Sequence, residues 1–282
     1  MKEVLRLPER LLGDVFHYQY ARRPHAEHHH AELELNFVLR GSAAYLLGDR
    51  RYALRRHMLV WLFPEQEHVL IGESDDFAAW IGVFAPPLVQ SVCTSRSARV
   101  LAEPNPPGVF CQRLGEDAGA WLAALLAQVD RARGEPSHFN AGLGYALLSA
   151  WAAFSAVEGD APQGTDIHPA VESAVRILVQ QADNSSLGDV ARAAGLSESR
   201  LRTLFRQQIG MTPTAFRSQQ RVKRFLRLYG HGQRVSMTQA ALDAGFGSYT
   251  QFHRVFKGVM GCGPADFGRA QQGARQKPSG PR

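Results

Sequence analysis

Seven of the eleven histidines lie in the first 68 residues, and three of them recur at the spacing of metal ligands. The pattern is His28-x-His30-x3-Glu34, with His68 further along the chain. Residues i and i+2 of a strand point to one face, so His28 and His30 would share a face with Glu32 and Glu34. Two imidazoles, one carboxylate and a third imidazole from another strand can hold a divalent ion such as Zn, Mn, Fe or Ni.

The same residues admit two other interpretations. Imidazole and carboxylate groups also hydrogen-bond the hydroxyls of a small polar effector, and the candidate contacts are then His28, His30, Glu34, Asn36, Trp61 and His68. Trp80 is a further candidate for the same pocket. Alternatively, the strands simply turn polar residues towards water, and the tryptophans are ordinary core residues.

A second pattern is an internal repeat in the C-terminal part of the chain. Residues 190–216 and 240–267 both contain AxxAG, then an apolar residue, then F-x4-G-x2-P-x2-F. Each copy predicts two short helices crossing at small alanines, with Gly195 or Gly245 in the tight turn between them. Ser197 and Ser248 are expected to cap the second helix of each pair.

The second helix of each copy has one apolar face and one polar face. The polar faces carry side chains that bond to base edges and phosphates, and the predicted DNA-contacting residues are Ser199, Arg200, Arg202, Thr203, Arg206, Tyr249, Thr250, Gln251, His253, Arg254 and Lys257. One such face is typical of any solvated helix. Two in register, joined by a predicted helix over 213–229, favour binding to double-stranded DNA.

The charge distribution agrees with this division. Residues 165–282 carry 17 basic and 7 acidic side chains, a net charge of +10, whereas residues 1–164 carry a net charge of −4. A basic excess confined to one part of a chain indicates an anion-binding module there. The three cysteines are widely spaced without a CxxC, which argues against a disulfide framework or a cysteine zinc site.

The elements that position these residues divide into two domains of an α+β protein. Residues 1–112 read as short strands of a β-barrel, residues 113–157 as a helical segment, 158–167 as a linker, 168–270 as an all-α double helix-turn-helix, and 271–282 as a disordered tail. The uncharged stretch 138–157 is long enough to span a membrane, but its Asn, Gly and His residues favour a buried or subunit-facing helix.

Residues 168–267 resemble the double helix-turn-helix domain of the AraC/XylS family of bacterial transcription regulators. The matching segments are LGDVARAAGLSESRLRTLFRQQIGMTPTAF, Arg221 and ALDAGFGSYTQFHRVFKGVMGCGPADF. The resemblance implies seven helices and operator binding near promoters, with RNA polymerase as a partner. Ala240 stands where a larger residue is usual, Phe225 where a small one is usual, and Arg269 one place late, which suggests altered packing in the second copy.

The histidine segment and Pro64-x3-His68 resemble the two cupin motifs, although Arg56-His57 replaces the glycine usual before the second. Together with the C-terminal match, this part is similar to the cupin-like effector domain of sugar-responsive family members, those that regulate melibiose operons in particular. The resemblance implies an N-terminal effector-binding barrel.

The sequence therefore predicts a non-enzymatic transcription regulator, an activator that responds to a small polar effector such as a sugar. A cupin metalloenzyme fused to a DNA-binding module is the alternative. A homodimer is expected through the helical segment, whose apolar stripe is Trp121, Leu122, Leu125 and Leu126, although a purely intramolecular role for that stripe stays open. No signal peptide is recognisable, so a cytoplasmic, nucleoid-associated location without membrane contact is expected.

Overall fold

The computed structural model describes residues 10–19, 32–47, 50–64, 66, 68–158, 164–180, 185–230 and 235–275. The chain separates into two compact units, with the boundary between His168 and Pro169. The expected two-domain α+β fold class is confirmed, and each unit is described by itself.

The described part of the first unit contains two antiparallel sheets. The five-stranded sheet has the order β1-β7-β2-β5-β8, formed by β1 (Gly13–Gln19), β2 (Leu33–Arg40), β5 (Met58–Leu62), β7 (Ala78–Phe84) and β8 (Cys111–Arg113). The four-stranded sheet has the order β6-β3-β4-β9, formed by β3 (Ala43–Leu47), β4 (Arg50–Leu54), β6 (His68–Ile71) and β9 (Thr165–Asp166). No hydrogen-bonded ladder joins the two sheets among the described residues, so the predicted barrel is an open one.

The central strands of the five-stranded sheet are buried on both faces. On β2, Leu35 and Phe37 belong to a core shared with helices, whereas Val38 belongs to a second core that also contains Tyr45 and Tyr52 of the other sheet. Strand alternation thus separates an inner face, between the sheets, from an outer face beneath the helices. The position of a side chain along the strand decides which core it joins.

Three helices cover the outer face: α1 (Pro86–Val92), α2 (Glu116–Arg131) and α3 (Pro136–Ser155). The side chain of Glu135 caps α3 by accepting from the backbone N–H groups of Ser137 and His138. Helices α2 and α3 lie within the predicted helical segment 113–157. None of the described helices, α3 included, is long and apolar enough to cross a membrane.

His57 joins the sheet to α2 in a strained position. Its backbone φ is 66°, in the left-handed region. The residue is 4% exposed to solvent, and its ring stacks on the Phe37 ring with 6.0 Å between the centroids. A Cβ on Gly119 of α2 would lie 2.8 Å from the His57 ring, so the helix packs directly on the imidazole. Burial lowers the pKa of His57, Glu116 opposes that shift, and the cations of Arg56 and Arg113 reinforce it.

We expect this histidine to make the first unit less stable in acid. Because the pKa is lower in the folded state, the unfolded chain binds the proton more readily, so stability is complete above the ordinary pKa of about 6.5 and falls as the pH drops below it. His57→Asn tolerates the positive φ and should flatten this dependence. Urea unfolding followed by tryptophan fluorescence at pH 5 and pH 8 measures it. His17→Asn, at an exposed position of β1, is the control. A loss of stability between pH 8 and pH 5 that is unchanged in His57→Asn would contradict the assignment.

The described residues of the second unit form seven helices, the number that the resemblance implied. Their bounds are α4 (Pro169–Gln180), α5 (Leu187–Ala193), α6 (Glu198–Ile209), α7 (Pro213–Gly230), α8 (Met237–Asp243), α9 (Tyr249–Met260) and α10 (Pro264–Arg275). Gly195 and Gly245, in the turns between the paired helices, have φ of 73° and 92°, a conformation that favours glycine. Ser197 and Ser248 accept the predicted capping bonds from the Arg200 and Gln251 amides.

Two predicted unstructured segments contain secondary structure. Strand β9 lies inside the predicted linker and pairs with β4, where it forms one edge of the four-stranded sheet. Helix α10 continues to Arg275, since the Ala, Gln and Arg residues after Gly268 are good helix formers. The remainder of the predicted tail, 276–282, lies outside the described residues.

Candidate DNA interface and effector site

Helix α6 buries one face and exposes the other, as predicted. Leu201, Leu204 and Phe205 are buried, whereas the five predicted contacts, Ser199, Arg200, Arg202, Thr203 and Arg206, are all exposed. Arg202 is held by a 2.5 Å bond to Glu198, and the Thr203 hydroxyl donates to the Ser199 carbonyl. Arg200 and Arg206 form no ion pair within the described residues, so their guanidinium groups are available to DNA.

Helix α9 repeats this arrangement around Phe252 and Phe256. Tyr249, Thr250, His253, Arg254 and Lys257 are exposed, and Gln251 is half-buried. Gln251 accepts a 2.9 Å bond from the Gly247 amide, and the Tyr249 ring packs on Phe252 at 5.6 Å. These two predicted contacts therefore also support the turn before the helix. Arg254 and Lys257 form no ion pair among the described residues.

Helix α7 separates the two recognition helices. Its 18 residues correspond to a rod of about 27 Å, which suits two helices entering successive major-groove segments about 34 Å apart. Several of its basic residues have structural contacts: Arg217 donates to the Ser185 carbonyl, and the Arg221 guanidinium lies 6.0 Å from the Phe246 ring centre. Lys223 and Arg224 have partners as well. The unit thus presents two cationic helix faces on a fixed frame.

The predicted effector residues Glu34 and Asn36 lie side by side on the inner face of β2. Both are buried, and the Asn36 amide donates a 2.6 Å bond to the Glu34 carboxylate. Burial raises the pKa of Tyr45 well above its usual range, and the charges of Glu34 and Glu73 raise it further. Tyr45 lies in the core between the two sheets, on the inner face that is opposite the strand carrying Glu34 and Asn36.

His68, another predicted effector residue, lies next to the Tyr45 ring. Its ring meets the Tyr45 ring edge-on at 6.1 Å, and its Nδ1 lies 2.9 Å from the Gln66 carbonyl. Tyr18 of β1 donates to Glu73 nearby. Glu34, Asn36, Tyr45 and His68 therefore all lie on the inner faces of the two sheets, and we name these four residues the inner polar cluster.

Sequence reasoning missed Tyr18, Tyr45 and Glu73. The alternation in AAYLL could have assigned Tyr45 to the inner face, because Ala43, Tyr45 and Leu47 share one side of β3. Glu73 follows β6 in a connecting segment, where no periodicity predicts the direction of a side chain.

Trp61 does not join this cluster. Val60 and Leu62 of β5 belong to the inner core, so the alternation turns Trp61 to the outer face, where its ring lies 6.1 Å from Trp151 of α3. Trp80 lies on that outer face as well. The expectation that these tryptophans line the pocket of Glu34 and Asn36 is therefore corrected: both support the helices.

The predicted metal site falls partly beyond what the structure describes. His28 and His30 lie outside the described residues, which leaves Glu34 and His68 from the predicted set. Within the described ranges, no group of three or more His, Cys, Asp or Glu residues is placed to hold a metal ion.

Two protein families match the two units. Residues 13–148 match the AraC-like ligand binding domain, and residues 190–270 match a helix-turn-helix domain of the type described above. The chain belongs to the AraC family of transcription regulators. It is a DNA-binding regulator with a ligand-binding domain, as its sequence predicted.

The relatives are regulators too. The transcriptional regulator YfiF of Bacillus subtilis is 26% identical over 275 residues, covering 94% of this chain and 86% of that protein. The transcriptional activator RhaR of Klebsiella pneumoniae is 24% identical over 266 residues, covering 91% and 92%. The arabinose operon regulatory protein of Escherichia coli is 34% identical over 107 residues, 36% of each chain. These matches confirm the prediction of a regulator and give no support to the metalloenzyme alternative.

Proposed function

We propose that this regulator is a homodimeric activator that contacts promoter DNA through α6 and α9 and binds a small polar effector at the inner polar cluster. The observation that carries the proposal is the duplicated helix pair, in which Arg200, Arg206, Arg254 and Lys257 stand free of ion pairs in the described structure. RNA polymerase is the further partner of an activator at a promoter. A protein with this role works in the cytoplasm, at the nucleoid.

A sugar is the proposed effector. A buried carboxylate beside an amide and a phenol offers acceptors and donors for several hydroxyl groups at once, and the surrounding apolar core excludes water. The arabinose operon regulatory protein, whose name refers to a sugar operon, supports this class of effector.

The effector proposal is tested by thermal shift of the full chain with pentoses, hexoses and disaccharides, L-arabinose and melibiose included, followed by calorimetry. Glu34→Gln should lower affinity for a binding sugar by about 10- to 100-fold, because a hydrogen bond to a charged group contributes about 1.5–3 kcal/mol. Trp61→Phe, on the opposite face of the sheet, should leave that affinity unchanged. A panel in which no sugar raises the melting temperature contradicts the sugar assignment.

A divalent metal held by His28, His30, Glu34 and His68 is the second candidate occupant. Glu34 is buried on the inner face of β2 and the His68 ring meets Tyr45 on the inner face of the other sheet, which is the observation in its favour. Elemental analysis of the purified chain distinguishes the two: about one equivalent of Zn, Mn, Fe or Ni, removable by chelator with a lower melting temperature, supports the metal.

The proposed dimer contact is the exposed face of α3. In the predicted stripe on α2, Leu122 and Leu126 are fully buried in the core of their own unit, Leu125 is half-buried, and only Trp121 is exposed, at 46%. On α3, by contrast, Tyr145 is 60% exposed and Leu148 is 37% exposed. The exposed positions 138, 141, 145, 148, 152 and 155 recur at alternating spacings of three and four residues, and none is charged. That repeat suits pairing with α3 of a second copy.

We expect Leu148→Glu to convert the dimer into a monomer, because a carboxylate at the centre of this seam would lose its water on association. Sedimentation velocity of the full chain at micromolar concentration measures the change. Gln128→Glu, at an exposed position of α2, is the matched control. A wild-type chain that sediments as a monomer, or a Leu148→Glu dimer, contradicts the proposed contact.

A further inference from the structure

The segment before the second unit is docked on the edge of the four-stranded sheet. Asp166 pairs with Arg50 and Thr165 with Arg51 in an antiparallel ladder between β9 and β4. The Arg50 guanidinium lies 3.5 Å from the Asp166 carboxylate, and both side chains are largely exposed. The ladder has two residue pairs and its ion pair is exposed, while Gly164 packs on Tyr52, and Ile167, just after the strand, is buried. So short a ladder suits an element that is released and re-formed.

Gly164 fixes the position of this strand against a single aromatic ring. A Cβ at residue 164 would lie 2.8 Å from Cζ of Tyr52 and 3.0 Å from Cβ of Arg50, so only glycine allows the backbone this close. Tyr52 itself belongs to the core between the two sheets. The ring therefore has the linker on one side and the inner core on the other.

Tyr52 is also adjacent to the inner polar cluster. It is the direct cross-strand partner of Tyr45, and both side chains lie on the inner face of their sheet. A ligand that displaces the Tyr45 ring would press on Tyr52, and Tyr52 cannot move towards β9 without displacing Gly164. The contact at Gly164 is thus the point where the linker meets the wall of the effector site.

Docking of β9 sets the length of chain available before the DNA-binding helices. From Asp166 to Pro169, where α4 begins, three residues span at most about 11 Å. If β9 is released, the free segment runs from the end of α3 at Ser155 and its 14 residues span up to about 50 Å.

We propose that β9 is a releasable latch, seated on Tyr52 at the wall of the effector site, whose docking on β4 determines how tightly the DNA-binding unit is tethered. The proposal rests on the proposed function, because only a regulator with a sensing unit and a DNA-binding unit uses such a tether. The latch itself is a property of the protein without DNA.

Hydrogen exchange of the full chain tests the docking. Gly164→Ala should speed exchange of the 164–166 amides at least about tenfold, whereas Gly134→Ala, at a glycine with no atom within 4 Å of the added Cβ, should leave it unchanged. Asp166→Arg, which faces Arg50 with a like charge, should act like Gly164→Ala. The charge swap Arg50→Asp/Asp166→Arg should restore slow exchange. Wild-type rates in Gly164→Ala and Asp166→Arg would overturn the docking.

Spin-label distances test the tether. Labels on Gln90→Cys of α1 and Gln207→Cys of α6, both exposed positions, with Cys262→Ser to remove a competing thiol, report the separation of the two units. Gly164→Ala should broaden the distance distribution at least about twofold, and Gly134→Ala should not. Faster exchange with an unchanged distribution would show that β9 does not set the tether and would overturn the latch. Failure of the chain to bind DNA would instead refute the proposed function. The hydrogen-exchange and distance measurements are made without DNA, so they would still test the latch.

Discussion

Replacing both Arg200 and Arg254 by alanine is expected to weaken binding of the full chain to its DNA site by at least about 30-fold. Each guanidinium lies on the exposed face of a recognition helix and forms no ion pair among the described residues. A bidentate arginine–guanine contact contributes about 1–3 kcal/mol, and losses at two separated helices add. Fluorescence anisotropy with a labelled site at fixed salt measures the affinity.

The single variants show whether both helices contact DNA. Arg200→Ala and Arg254→Ala should each cost about 5- to 150-fold. Arg131→Ala, an equally exposed arginine on α2 of the other unit, is the control and should bind like the wild type. If one of the recognition-helix variants keeps wild-type affinity, only one copy of the repeat contacts DNA at that position.

The second large expected effect concerns the core of the second helix pair. Phe225 of α7 is fully buried, with its ring 4.4 Å from that of Phe252 and 5.5 Å from that of Phe256. Phe225→Ala should lower the free energy of unfolding by about 3–5 kcal/mol through the cavity it leaves. Hydrogen exchange of the α7 and α9 amides measures this loss, since all four tryptophans lie in the first unit.

Ala240 explains why a phenylalanine fits there. It is fully buried in the same cluster as Phe225, so we expect the small residue on α8 to compensate for the volume of the large ring on α7. Ala240→Leu alone should overpack the cluster and cost about 1–3 kcal/mol. The double variant Phe225→Ala/Ala240→Leu should be more stable than the sum of the single losses predicts. Additive losses would contradict this exchange of volume.

The sequence was most informative where a function depends on local geometry. Gly195, Gly245, Ser197 and Ser248 each satisfy a requirement of one turn or one helix start, so residue type and spacing predict them. The exposed faces of α6 and α9 followed from helical periodicity combined with the repeat. The net charge of +10 in the C-terminal part is consistent with DNA contact through the faces of both helices.

The sequence predicted less well which neighbour a side chain contacts when its strand or helix is buried on two sides. The strand of Trp61 is apolar at every position, so alternation does not reveal which core each side chain joins without the opposite sheet. Leu122 and Leu126 form an apolar stripe that could equally face the chain's own sheet or a second copy. The β9 strand is two residues long and depends on a partner more than a hundred residues earlier, a pairing that local patterns do not encode.

Selection from a random duplex pool with the full chain tests the central claim most directly. Two recognition helices on the α7 frame should enrich one sequence with two short conserved segments about one helical turn apart, and affinity for it should fall steeply between 50 and 200 mM salt as phosphate contacts are screened. Arg200→Ala should relax selection in one segment and Arg254→Ala in the other. A pool without any enriched sequence, or an affinity that is the same at 50 and 200 mM salt, would contradict the account.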